Sequence, residues 1–175
     1  MRAYFVALTI LASSAHAAEF RGSELDRVCT SIPEREHALE SQVVLSAFNQ
    51  YRFTGRAFDR EVVMLYLCPG GVLSSGNYLF ANHFYNDVVS DFRAAYVGLS
   101  SIYGAPFSGG ALPSQGMNDK SFPRIGNEPK TYIASWKGPD FFASMALSSQ
   151  GDAAGLTWHV IFMIKPSNKS SERSN

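Results

Sequence analysis

Residues 82–106, NHFYNDVVSDFRAAYVGLSSIYGAP, constrain the fold more than any other stretch of the chain. Tyr85, Val88, Phe92, Ala95, Leu99 and Ile102 step by three and four, and Val89, Tyr96 and Tyr103 widen the stripe. That period predicts a helix with one side apolar from end to end. Asn82 is placed to cap its start, and Asp87 complements the positive end of its dipole. Gly104 accepts the left-handed backbone that closes a helix and Pro106 is unable to continue one, so the stop is predicted there. About twenty residues at about 1.5 Å each make a rod roughly 30 Å long, the width of a small domain. Burying its stripe is worth on the order of 15 kcal/mol before the entropy of ordering is subtracted. The rest of the chain therefore has to supply a broad apolar surface.

Strands are the candidates for that surface. From residue 51 the period changes from helical to alternating, and residues 51–57, 61–68 and 72–80 predict three strands. Asp59 and Arg60 form a short hairpin link, Pro69, Gly70 and Gly71 the next turn, and Gly76 marks a bulge or a close approach. Residues 131–137, 141–149 and 156–165 predict three more. Upstream, Ser31 and Glu34 with Pro33 between them read as a capping box, opening a helix to about Ser46 with Ala38, Leu39 and Val43 on its buried side. The expected fold is α+β, an antiparallel sheet of about six strands packed by two helices in a tandem α-β-β-β arrangement. Two helices on one side leave the second face of such a sheet to be explained. Residues 105–128, rich in glycine and proline, are too long for an ordinary connection and read as a binding or mobile loop, with Phe107, Met117, Phe122 and Ile125 as its apolar residues.

The ends of the chain bear on where it works. Arg2, an apolar run from Ala3 to Ala12, and the small-residue pattern Ala15-His16-Ala17 have the order of a secretory signal peptide, with cleavage expected after Ala17. The run is too short for a spanning anchor, and no cysteine stands at the cleavage site to carry a lipid. Residues 18–165 then form one domain and 166–175 a disordered polar tail. Removing Arg2 with the leader lowers the 15 basic residues to 14 against 15 acidic ones, a net charge of −1. Without a basic stripe, nucleic acid is excluded as a natural partner, and no basic amphipathic helix points to a membrane surface. Cys29 and Cys68 are the only cysteines, and an even pair in an exported chain reads as a disulfide.

Catalytic signatures are missing. The chain holds no G-x-S-x-G, H-E-x-x-H, C-x-x-C, phosphate-binding loop or dinucleotide fingerprint, and Ser74 and Ser75 fall in a strand with the wrong spacing for a nucleophile. His83, Asp87 and Asp91 stand four apart on the polar side of the long helix, where they are the best available metal ligands, although a solvated face is the plainer reading. No cofactor is expected. His37 reads as a surface residue and His159 as a hydrogen-bonded strand residue. The outer side of the helix carries Ser90, Ala94, Gly98 and Ser101 where long charged residues are usual, so something approaches closely there: the glycine-rich loop or a partner protein.

The signal peptide, the cysteine pair and the helix ending LSSIYGAP at residues 99–106, followed by strands, together resemble small exported bacterial proteins of unknown function. That likeness implies a compartment and carries no catalytic residue. Three functional readings stand at this point. The first is an exported, non-enzymatic module that binds another protein as an inhibitor, immunity factor or envelope accessory, through Phe107, Met117, Phe122, Ser90, Ala94 and Gly98. The second is a carrier of a small apolar ligand in a cavity lined by Tyr96, Trp136 and Trp158. The third is a metal-dependent or hydrolytic enzyme whose site assembles only in three dimensions.

Overall fold

The structure, a computed structural model, describes residues 19–47, 49–82, 85–109, 124–125, 128–129, 132–152 and 155–167. The expected leader and most of the polar tail lie outside the described residues. In chain order the elements are β1 (Glu19–Phe20), β2 (Ser23–Glu24), α1 (Ile32–Ala38), β3 (Gln42–Ala47), β4 (Gln50–Ala57), β5 (Arg60–Leu67) and β6 (Ser75–Asn82). After them come α2 (Tyr85–Tyr103), β7 (Ser108–Gly109), β8 (Arg124–Ile125), β9 (Glu128–Pro129), β10 (Tyr132–Lys137), β11 (Phe141–Asp152) and β12 (Gly155–Pro166). Strands β1 with β2 and β8 with β9 form two small ladders. The main sheet has eight strands in the order β3-β4-β5-β6-β12-β11-β10-β7, and every neighbouring pair is antiparallel.

To the main sheet each half of the chain contributes four strands that follow its helix, and the halves meet where β6 pairs with β12, Phe80 opposite Val160 and Tyr78 opposite Phe162. An antiparallel sheet with two helices is found as expected, and the expectation of about six strands, three after each helix, is corrected to eight. The first addition is β3. The helix expected to reach Ser46 ends at Ala38, and Glu40 takes a left-handed φ of +58° that turns the chain into a strand over the β-branched Val43 and Val44. Ala38, Leu39 and Val43 are exposed, and the buried side of α1 is instead Ile32 and Glu36. Ser31 makes no side-chain cap bond, so the capping box does not form, while Pro33 does sit in the first turn. The second addition is β7, which pairs with Ala134 and Ser135 inside the stretch read as a loop. Strand β6 starts at Ser75, later than the expected 72, because Val72 and Leu73 pair with Val28 and Arg27 of the N-terminal segment.

One face of the sheet carries the core. Phe53, Met64, Tyr78, Phe162, Met145 and Ala134 stand opposite one another from β4 to β10, and all six are buried. Over this face lies α2, presenting Val88, Val89, Phe92, Ala95 and Leu99, each 3% exposed or less. Ile102, expected in the stripe, is 51% exposed, and Tyr103 takes its place, stacked on Phe162 with ring centroids 6.1 Å apart. Gly104, at φ +83°, ends the helix as expected, and Trp136 Nε1 donates to its carbonyl at 2.9 Å. The other half of the face is covered by α1 and by Phe20, whose ring packs on Tyr66 and Tyr78. Gly76 is the close approach anticipated: a Cβ there would stand 2.1 Å from the Phe20 ring. The Cys29–Cys68 disulfide, with Cα atoms 6.3 Å apart, ties this N-terminal cover to the end of β5.

Candidate functional site: the uncovered face of the sheet

Alternation along each strand sends the remaining side chains to the second face, where most of the described ones keep part of their solvent exposure. The register sets Thr54, Val63, Leu79, Ile161, Ala146 and Ile133 in one row from β4 to β10. Ile161 is 43% exposed, Ile133 52%, and the other four are partly exposed. The next row reads Arg52, Leu65, Asn77, Met163, Ser144 and Ser135. The apolar run Val63, Leu79, Ile161, Ala146 and Ile133 therefore crosses five strands, from β5 to β10, roughly 20 Å at about 4.8 Å per strand, and ends at the polar Thr54 of β4. Isolated exposed apolar residues are ordinary, whereas a continuous band bordered by polar groups marks a surface that something covers.

The borders of the band differ. Exposed Arg52, Lys137 and Lys165 lie along one margin, with the Lys165 ammonium 6.0 Å from the centre of the Phe142 ring. At the opposite margin Glu40, Gln42, Arg56 and Glu61 surround a concavity of about 440 Å³ whose apolar wall is Val62, Val63 and Leu79. His159 belongs to this face, between Ala81 and Ser148 in register, and its Nδ1 is buried with no partner among the described residues. It is a strand residue as expected, without the expected hydrogen bond. His37 is exposed on α1, as expected of a surface residue.

Among the sequence candidates, Phe107 reaches this surface. Its N–H donates to the Ser135 carbonyl at 2.9 Å and its ring, 60% exposed, stands 6.2 Å from that of Phe142. Met117, Phe122 and His83 lie outside the described residues. Ser90, Ala94 and Gly98 are elsewhere, on α2 beneath the turn between β4 and β5. Both central residues of that turn, Phe58 and Asp59, have positive φ, +54° and +59°, the form that suits the twist of a two-residue hairpin. Phe58 lies so close to Gly98 that a Cβ there would come within 2.1 Å of the ring. Arg60 Nη2 donates to Ser90 Oγ at 2.8 Å, and its Nε is 3.0 Å from Asp91 Oδ1. The small residues on the outer side of α2 thus accommodate the chain's own hairpin, which leaves an open groove of about 600 Å³ beside Val97.

Asp87 is exposed and Asp91 is engaged by Arg60, and no group of three His, Cys, Asp or Glu side chains suited to a metal occurs among the described residues. Tyr96 and Trp136 do meet between helix and sheet, ring centroids 6.1 Å apart, but Trp136 is fully buried and its ring also contacts Phe162. Together they fill the layer. Trp158 stands in β12 opposite Asn82, with its side chain outside what is described.

A buried polar cluster escaped sequence reasoning. The Glu36 carboxylate, with no solvent exposure, receives Arg21 Nε at 2.7 Å, Arg21 Nη2 at 3.3 Å, Ser41 Oγ at 2.6 Å and the Tyr66 hydroxyl. Burial, then the charge and hydrogen bond of Glu36, push the Tyr66 phenol far above its ordinary range. Burial acts to lower Arg21, and its hydrogen bond and attraction to Glu36 outweigh that, so its value is raised. Tyr78 is pushed up to about 12 by burial, against the pull of Arg21. A carboxylate sealed from solvent and supplied with four donors has no opening for a substrate, and its role is to hold the N-terminal segment, α1 and β5 together. Contacts separated by 15 to 30 residues in sequence have no local pattern to announce them. Comparison with protein-family models, curated proteins and solved structures gives no match for this chain.

Proposed function

We propose that this is an exported, non-enzymatic module that binds another protein through the uncovered face of its sheet. The observation that carries the reading is the apolar row Val63, Leu79, Ile161 and Ile133, left partly exposed by a fold whose opposite face carries the buried core. Export is supported by the leader-like N-terminus and by the Cys29–Cys68 pair at disulfide geometry. Phe107 extends the band at its β10 side, which joins the loop named from sequence to the same surface.

The chemistry of the face describes its partner. An apolar strip of matching width, flanked by carboxylates toward Arg52, Lys137 and Lys165, would be complementary in both shape and charge. The concavity at the Glu40 and Glu61 margin offers a place for one anchoring side chain. The test is a pull-down with the exported protein from extracts of its own envelope, run beside an Ile161→Asp variant. One stoichiometric partner, captured by the wild type and lost with the variant, is the expected result. Equal capture by both would take the docking surface away from this face, and a co-purifying apolar small molecule would favour a carrier.

A further inference from the structure

We infer that β3, at one edge of the main sheet, pairs antiparallel with β3 of a second copy of this chain. The inference is independent of the partner-binding reading, which concerns the face and not the edge.

The two edges of the sheet are treated differently. At one end β7 is only two residues long, which leaves almost no ladder to extend. At the other, β3 offers six residues, QVVLSA, without a charge or a proline, and no described strand lies beyond it. Proteins commonly guard such an edge with lysines, prolines, short strands or bulges. Here the one such device is the bulge between Val43 and Leu45, which leaves residues 45–47 in regular register with β4. Leu39, Val43, Val44 and Leu45 are 49%, 61%, 51% and 38% exposed, four of the eleven exposed large hydrophobic side chains described. Clustering four of them at one edge makes it an apolar contact as well as a row of open backbone groups.

An extended backbone is the only structure whose donors and acceptors alternate as an edge strand requires, so the occupant is a strand. Self-pairing fits this one. A two-fold axis normal to the sheet at Ser46, inside the regular stretch, sets Ser46 against Ser46 of the second copy and Leu45 against Ala47, and no like charges face each other. A formal net charge of zero for the full chain, or −1 without the leader, adds little long-range repulsion. The resulting sheet would run continuously through both copies, with the two uncovered faces on the same side. A strand of this length, about 20 Å, covers less than the roughly 800 Å² per partner of a standard stable interface, so the dimer is reversible and weak, with a Kd in the micromolar range or above.

Sedimentation velocity on the full chain, from low micromolar to about 1 mM, reads this directly. The wild type should shift from monomer to dimer, and a Val44→Lys/Leu45→Lys variant should stay monomeric with an unchanged melting transition. Hydrogen exchange supplies a second readout: the amides of residues 42–47 should gain protection as concentration rises. A wild type that remains monomeric at the highest concentration overturns the inference. So does a dimer that survives the double variant, or one that Ile161→Asp alone dissolves, since that would place the two copies face to face.

Discussion

The Tyr66 hydroxyl donates to the Glu36 carboxylate, joining the central part of the sheet to α1 through a group with no exposure to solvent. Arg21 and Ser41 supply the remaining donors, so one buried charge fastens four separate segments. Removing a partner from a buried pair leaves an uncompensated charge, which is far costlier than losing a surface bridge. Glu36→Ala should therefore destabilise the fold by about 3–5 kcal/mol, and Tyr66→Phe by about 1–3 kcal/mol. Urea melts of both single variants and the double variant would measure their coupling; strict additivity would show that the hydroxyl and carboxylate do not cooperate.

Gly98 and Phe58 make a contact that only glycine permits. A Cβ at 98 would lie 2.1 Å from the Phe58 ring, so Gly98→Ala should cost about 1–3 kcal/mol by forcing the hairpin off α2. Phe58→Ala in the same chain should recover part of that loss, because the obstructing ring is gone. Thermal melts of the two single variants and the pair decide it, and a double variant as unstable as the sum of the singles would mean that the clash is not the cause.

The Cys29–Cys68 bridge closes a separation of 39 residues. In the chain-entropy treatment a loop of that size stabilises by up to about 4 kcal/mol. Replacing both cysteines with serine should lower stability by about 2–4 kcal/mol, seen as a lower urea midpoint. A midpoint unchanged from the wild type would show that the network around Glu36 holds the N-terminal segment unaided.

Tyr78 is pushed up to about 12 by burial, and Tyr66 and Tyr103 are also raised, with burial the leading cause for each. In the unfolded chain each would lose its proton near 10. Their contribution to stability is thus fully present below about pH 10 and is lost as pH rises through the folded values, because the unfolded state then binds fewer protons. Stability should fall above about pH 10, by about 1.4 kcal/mol per pH unit for each such tyrosine. Denaturant midpoints between about pH 8 and 11, with Tyr78→Phe for comparison, test this. A variant with the same alkaline slope as the wild type would exclude Tyr78.

Local period was enough to mark α2, its stop at Gly104, six of the eight strands of the main sheet and the pairing of the two cysteines, since each depends on residues a few positions apart or, for the cysteines, on there being only two. Strand β3 was lost because Val43 and Val44 fit the end of a helix as well as the start of a strand, and the left-handed turn at Glu40 that decides between them carries no glycine to announce it. Strand β7 is too short to have a period at all. The candidate site was legible only as a shortage of cover, two helices for a sheet with two faces. Which residues occupy the bare face follows from the register of β4, β5, β6, β12, β11 and β10, and register is set by pairing between strands far apart in sequence. Tertiary structure alone decided that Glu36 is a buried anchor, that the small residues of α2 receive Phe58 and Arg60, and that Ile161 and Ile133 share one apolar row, because each is a relation between segments that become neighbours only when the chain folds.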